Sequence, residues 1–120
     1  MALTILVVDD EQAICDNLAA YLEDEGMQVH TALSGEEALQ RIADGLSVHA
    51  CVMDLRLPGM SGIETILAIR RINPAMRFVI HTGSANDIVA ASLQRAGLGQ
   101  VPVLRKPLVD MGDLVHALYA

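Results

Sequence analysis

Apolar residues along this chain follow two rhythms. Five short, largely apolar runs recur, at residues 4–8, 27–31, 49–53, 77–81 and 100–104. The stretches between them space apolar residues as helices do. Ile14, Leu18, Tyr21 and Leu22 share one face of the first. Ile63, Ile66 and Leu67 trace one on the third, with Arg70 its polar member, and Leu108, Met111, Leu114, Val115 and Leu118 do so on the last. Helix starts are signed as well. Ser34-Gly-Glu-Glu37 and Ser61-Gly-Ile-Glu64 fit a capping box, and Ser84-Ala-Asn-Asp87 is a looser version. Gly45 and Gly97 read as helix C-caps, and Asn73-Pro74 stops the third helix, because a residue before proline leaves the helical region.

A strand followed by a helix, five times over, predicts an α/β fold: a parallel sheet with helices on both faces. Pro102 lies inside the fifth run, and a strand proline belongs on a sheet edge. An open, doubly wound sheet satisfies that; a closed barrel does not. No linker interrupts the pattern, so residues 1–120 are expected to form one domain.

Composition narrows the class. The hydrophobic fraction is 52%, with no low-complexity tract, which argues against disorder. Phe78, Tyr21 and Tyr119 are the whole aromatic set, so base stacking has little to work with. A net charge of −7 repels phosphate backbones and anionic lipid, so neither nucleic acid nor a membrane is an expected direct partner. Cys15 and Cys51 form no CxxC pair and read as buried apolar thiols. The start of the chain shows no signal-peptide pattern and no segment has the length of a membrane span, so a cytoplasmic location is expected. The four histidines (His30, His49, His81, His116) lack metal-ligand spacing and read as ordinary strand and helix residues, and the six methionines as core filler.

The chemistry concentrates where strands end. The first run meets Asp9 and Asp10, the third Asp54, the fourth Thr82 and the fifth Lys106. In open α/β sheets ligands sit beyond the carboxyl ends of the strands. Any one of these residues alone would be a cap, a turn residue or a solvated charge; their convergence on one edge favours a site. Three carboxylates together raise one another's pKa unless a cation neutralises them. With no histidine or cysteine among them, the all-oxygen set favours Mg²⁺ or Mn²⁺ over zinc. A hydroxyl and an ammonium beside that ion suit phosphoryl oxygens, and one carboxylate could attack phosphorus to form an aspartyl phosphate.

At these residues the chain resembles the receiver domain of two-component response regulators. The likeness rests on "ILVVDDE", "VMDLRLPGMSGIE", "HTGSA" and "LRKP", in order along the chain. It implies a flavodoxin-like receiver fold with strand order 2-1-3-4-5. It also implies Asp54 as phosphoacceptor, Asp10 as a direct and Asp9 as a water-mediated Mg²⁺ ligand, and the Arg56 backbone carbonyl as a further ligand. Thr82 would bind the phosphoryl group, Lys106 would pair with it, and Lys106-Pro107 would be a cis peptide. The implied donor is a sensor histidine kinase or a phosphotransfer protein. The implied readout is the face made by the fourth helix, fifth strand and fifth helix, with the output partner unnamed and a homodimer left open. Such a domain is a signalling switch that phosphorylates and dephosphorylates itself, not a turnover enzyme. Where the family usually has Tyr or Phe, three residues before the lysine, this chain has Val103, which removes the usual aromatic readout. A phosphohydrolase fits less well, because the first-strand acids are adjacent and no insertion caps the site. A flavin binder fits less well because those acids repel its phosphate, and a pseudo-receiver because the five polar residues are intact.

Overall fold

Alternation along each strand decides which helix layer its side chains meet. In a computed structural model, which describes residues 2–84 and 86–119, the chain runs β1 (Thr4–Val8), α1 (Gln12–Asp24), β2 (Gln28–Ala32), α2 (Gly35–Ala43), β3 (Ala50–Met53) and α3 (Gly62–Ile72). It continues through β4 (Arg77–Thr82), α4 (Asp87–Arg95), β5 (Val103–Arg105) and α5 (Gly112–Tyr119). The strands form one parallel sheet in the order β2-β1-β3-β4-β5, the expected order. Leu6, Val8, Cys51, Met53, Phe78 and Ile80 point to one face and pack with Ala38, Ile42, Ile66, Ile69 and Leu93 from α2, α3 and α4. Ile5, Val7, Ala50, Val52 and Val79 point to the other and meet Cys15, Leu18 and Leu22 of α1 and Leu114 and Leu118 of α5. A strand buried on both faces needs an unbroken apolar run, which is why β1 and β3 carry no polar residue between their first residues and their ends.

Boundaries depart from the sequence expectation in physical ways. The fifth strand begins at Val103, after Pro102, whose carbonyl accepts the Ile80 amide. Residues 100 and 101 belong instead to the turn, where the Val101 amide donates to Leu98. Leu108 and Met111 precede α5, yet they pack on the same cluster as its buried face. In α3 the fully buried face is Gly62, Thr65, Ile66 and Ile69, with Ile63 and Leu67 half-buried, a rotation from the expected stripe. Thr65 can be buried because its hydroxyl donates to the Ser61 carbonyl at 2.7 Å. The Ser61 capping box is complete, and Ser34 accepts the Glu37 amide, but the Glu37 carboxylate approaches the Leu33 amide instead of closing back on Ser34. Helix α4 is capped by Asn86, whose side chain accepts the Val89 amide, not by Ser84; Ala85 of that expected motif lies outside the described residues. Gly45 and Gly97 follow their helices at φ +105° and +77°, as C-cap glycines do. Met27, Met53 and Met76 are core residues and Met60 and Met111 are half-buried; Met1 lies outside the described residues.

One glycine sets how closely α3 approaches the end of β3. A methyl group at Gly62 would lie 2.7 Å from the Leu55 Cα and would overlap the Asp54 carbonyl oxygen. Gly62→Ala is therefore expected to cost about 1–3 kcal/mol, read as a lowered urea midpoint. Gly83→Ala, where a methyl meets nothing within 4 Å, should stay within about 0.5 kcal/mol of the parent.

Candidate functional site

Adjacent strands bring the acids together. β1 pairs with β3 in the register Val8↔Met53, so the next residues of the two strands, Asp9 and Asp54, emerge side by side. The Asp54 amide donates to the Val8 carbonyl at 3.0 Å, and the Asp9 amide to the Ala32 carbonyl at 3.1 Å. Asp9 is 1% exposed and Asp54 5%, while Asp10 is exposed at the rim. One carboxylate oxygen from each of the three lies within 4.8 Å of the others. Lys106, at the far end of the sheet, closes the cluster. Its ammonium donates to Asp9 Oδ2 at 2.6 Å and to Asp54 Oδ2 at 3.1 Å. Lys106-Pro107 is cis, as the resemblance implied.

The two buried carboxylates are not held alike. Asp9 has both oxygens occupied, because its Oδ1 accepts the Glu11 amide at 3.0 Å. That bond replaces the N-cap role considered for a lone aspartate, since the N-cap of α1 is Glu11 with no side-chain bond of its own. Asp54 Oδ1 has only the Arg56 amide at 3.4 Å, a long and weak contact. Asp54 thus keeps one oxygen nearly uncommitted. Burial pushes its pKa up, the Lys106 hydrogen bond and charge pull it back, and the Asp9 charge pushes it up again; the net shift is upward. Burial alone would lower the Lys106 ammonium, but its hydrogen bonds to Asp9 and Asp54 outweigh that and raise it.

The remaining expected residues lie on the same edge. Thr82 ends β4, fully buried, with its hydroxyl accepting the Ser84 amide at 3.2 Å. Its carbonyl accepts the Lys106 amide at 2.9 Å, so the two residues sit on neighbouring strand ends. Arg56 is exposed on the loop leaving Asp54. That loop is tied down from α2, where the Glu36 carboxylate accepts the Met60 amide at 3.0 Å, a bond that lowers the Glu36 pKa. The all-carboxylate donor set with one open oxygen on Asp54 fits a hard divalent ion, and the ammonium beside it fits an anionic ligand. Both thiols are buried and free. Burial and the Asp9 charge push Cys15 up to about 11, and burial alone raises Cys51. Val103 is exposed and lines a groove of about 350 Å³ with Val89, Leu93 and Arg105.

Sequence reasoning passed over His81, which is not an ordinary strand residue. It is 5% exposed, and neither ring nitrogen has a hydrogen-bond partner. The signal was in "FVIHT": strict alternation puts position 81 on the same buried face as Val79.

The raised Asp54 pKa has a direction in stability. From its ordinary value of 3.8 upward, the folded state holds this proton more tightly than the unfolded state, so stability falls as pH climbs through that window. At pH 7 without metal, Asp54→Asn, which removes the buried charge, is expected to raise the melting temperature. Thermal melts in EDTA should show that gain shrinking towards pH 4.

With this geometry established, comparison with known proteins is specific. Residues 5–119 match the family described as Response regulator receiver domain. A response regulator receiver protein of Anaeromyxobacter sp. is 36% identical over 86% of this chain and 42% of its own length. The acid tolerance regulatory protein ActR of Rhizobium meliloti is 35% identical over 96% of this chain and 57% of its own. The chain therefore spans about half the length of these curated relatives. The crystal structure of a CheY-like receiver domain protein from Methanospirillum hungatei superimposes with a TM-score of 0.87 at 29% identity, covering 99% of this chain and 92% of that one. No described helix is long and apolar enough to cross a membrane. On the family match and on the sheet order, this chain belongs to the response regulator receiver domains, whose general role is that of a phosphorylation switch in two-component signalling.

Proposed function

We propose that the chain, as one receiver unit over residues 1–120, accepts a phosphoryl group on Asp54 from a phosphohistidine of a sensor kinase or phosphotransfer protein. The observation that carries this is the Oδ1 of Asp54, held only by a long 3.4 Å bond from the Arg56 amide, set against an Asp9 whose oxygens are both firmly bonded. An Asp54 oxygen forms the new bond to phosphorus as the phosphorus–nitrogen bond of the donor breaks, and the departing imidazole takes up a proton. Asp9, Asp10, Asp54 and the Arg56 carbonyl hold Mg²⁺ or Mn²⁺, which when bound offsets the negative charge that would repel an incoming phosphoryl group. Thr82 exchanges the Ser84 amide for a phosphoryl oxygen, donating its hydroxyl proton in a hydrogen bond. Lys106 transfers one of its two carboxylate bonds to the same group.

The added charge then alters the face made by α4, β5 and α5, through which an output partner or a second copy is engaged in the cytoplasm. Val103 cannot report the Thr82 rearrangement as an aromatic ring would. The signal is therefore assigned to the groove that Val103 forms with α4. The chain modifies only itself and turns over no external substrate beyond its phosphodonor.

The test is incubation with acetyl phosphate and Mg²⁺, followed by intact mass. One phosphoryl adduct is expected, absent in Asp54→Ala and absent when EDTA is present from the start. An adduct that persists in Asp54→Ala would sink the assignment. Thr82→Ala and Lys106→Met are each expected to slow adduct formation by about 10²-fold, since each removes a donor aimed at developing charge.

A further inference from the structure

Pro58-Gly59, with Gly59 at φ +75°, fits the central pair of a type II turn, which often closes with the amide of its fourth residue on the carbonyl of its first. Here that amide, of Met60, donates instead to the Glu36 carboxylate of α2 at 3.0 Å. Among the described residues, this is the one hydrogen bond that ties residues 55–60 to a helix or strand other than α3. The approach is close from both sides. Gly59 lacks a Cβ where one would lie 2.5 Å from the Glu36 Oε2. A methyl at Gly35 would overlap the Thr65 hydroxyl and stand 3.1 Å from the Met60 carbonyl oxygen. The first turn of α2 is thus seated on the segment that leads from the Asp54 loop into α3. Within that loop Leu55 and Leu57 are buried in the core, and Arg56 between them is exposed.

We infer that Glu36 is a positioning residue for the divalent-ion site: by taking the Met60 amide it holds the Pro58-Gly59 turn open, and so fixes where the Arg56 carbonyl stands relative to Asp54. This rests on the reading of Asp9, Asp10, Asp54 and the Arg56 carbonyl as the Mg²⁺-binding set. Without the Glu36 acceptor, the Met60 amide turns to the Leu57 carbonyl or to water. The loop then changes path within a residue of Arg56, and the carbonyl is no longer held in place before an ion arrives. The role requires an acceptor oxygen and not a charge.

Titration of the full isotope-labelled chain with Mg²⁺, followed by nuclear magnetic resonance of the Asp10, Asp54 and Arg56 amides, tests this. The parent is compared with Glu36→Ala and Glu36→Gln, and because Glu36 is exposed neither substitution disturbs the core. Glu36→Ala is expected to raise the Mg²⁺ dissociation constant about threefold to tenfold, less than the ~10–100-fold typical of partners bonded directly to a ligand. Glu36→Gln loses the charge but keeps a carbonyl acceptor, and should return the constant to within about twofold of the parent. Exchange of the Met60 amide with deuterium should quicken in Glu36→Ala and revert in Glu36→Gln. Equal Mg²⁺ affinity or equal Met60 exchange in Glu36→Ala and the parent would overturn the positioning role and leave Asp54 as phosphoacceptor standing. Glu36→Gln as weak as Glu36→Ala would overturn it in favour of a bare charge effect. A parent chain whose amides do not shift with Mg²⁺ would overturn the metal set and this inference together.

Discussion

The architecture turns on one ammonium shared by two buried carboxylates. Asp9 and Asp54 repel each other at the end of the sheet, and water is largely excluded from both. At about 4 Å and an effective dielectric near 20, a unit-charge pair is worth about 4 kcal/mol, so attraction to Lys106 and repulsion between the acids are of similar size. The cluster therefore holds only while the ammonium stays in place. Strand order makes that demanding. β5 is two strands away from β3, roughly 10 Å across the sheet, and Lys106 must reach over β4 to touch Asp54 and further still to touch Asp9. The two cores on either side of the sheet, the Gly62 contact and the Glu36 tether all act on the strand ends from which these three side chains extend.

Much of this was legible in the sequence because the signals were local. Unbroken apolar runs and helical spacing between them gave five strands and five helices, and Asp9, Asp10, Asp54, Thr82 and Lys106 fell at strand ends on one edge. What the residues could not reveal was how the oxygens were shared. Which carboxylate stays open depends on the Glu11 and Arg56 amides and on the reach of Lys106, contacts separated by up to 97 positions. The start of β5 was misplaced because Pro102 can precede a strand as readily as sit within it. The cap of α4 was misplaced because Ser84 and Asn86 are both competent N-cap residues and only the chain path chooses between them. His81 was missed for a different reason: a histidine in a strand carries no pattern that tells a satisfied ring from an orphaned one.

Shortness at the edge has a consequence for self-association. β5 contributes only three residues, and Pro102 immediately before it has no N–H to offer. A long, flat edge strand would present a row of free backbone groups to any passing chain and invite sheet-to-sheet growth. Here that template is cut to a few groups, beside an exposed valine and an exposed arginine. A neighbour meeting the molecule on this side finds side chains instead of a ladder to extend. Its recognition is then written in shape and charge, which can be switched, and not in backbone pairing, which cannot.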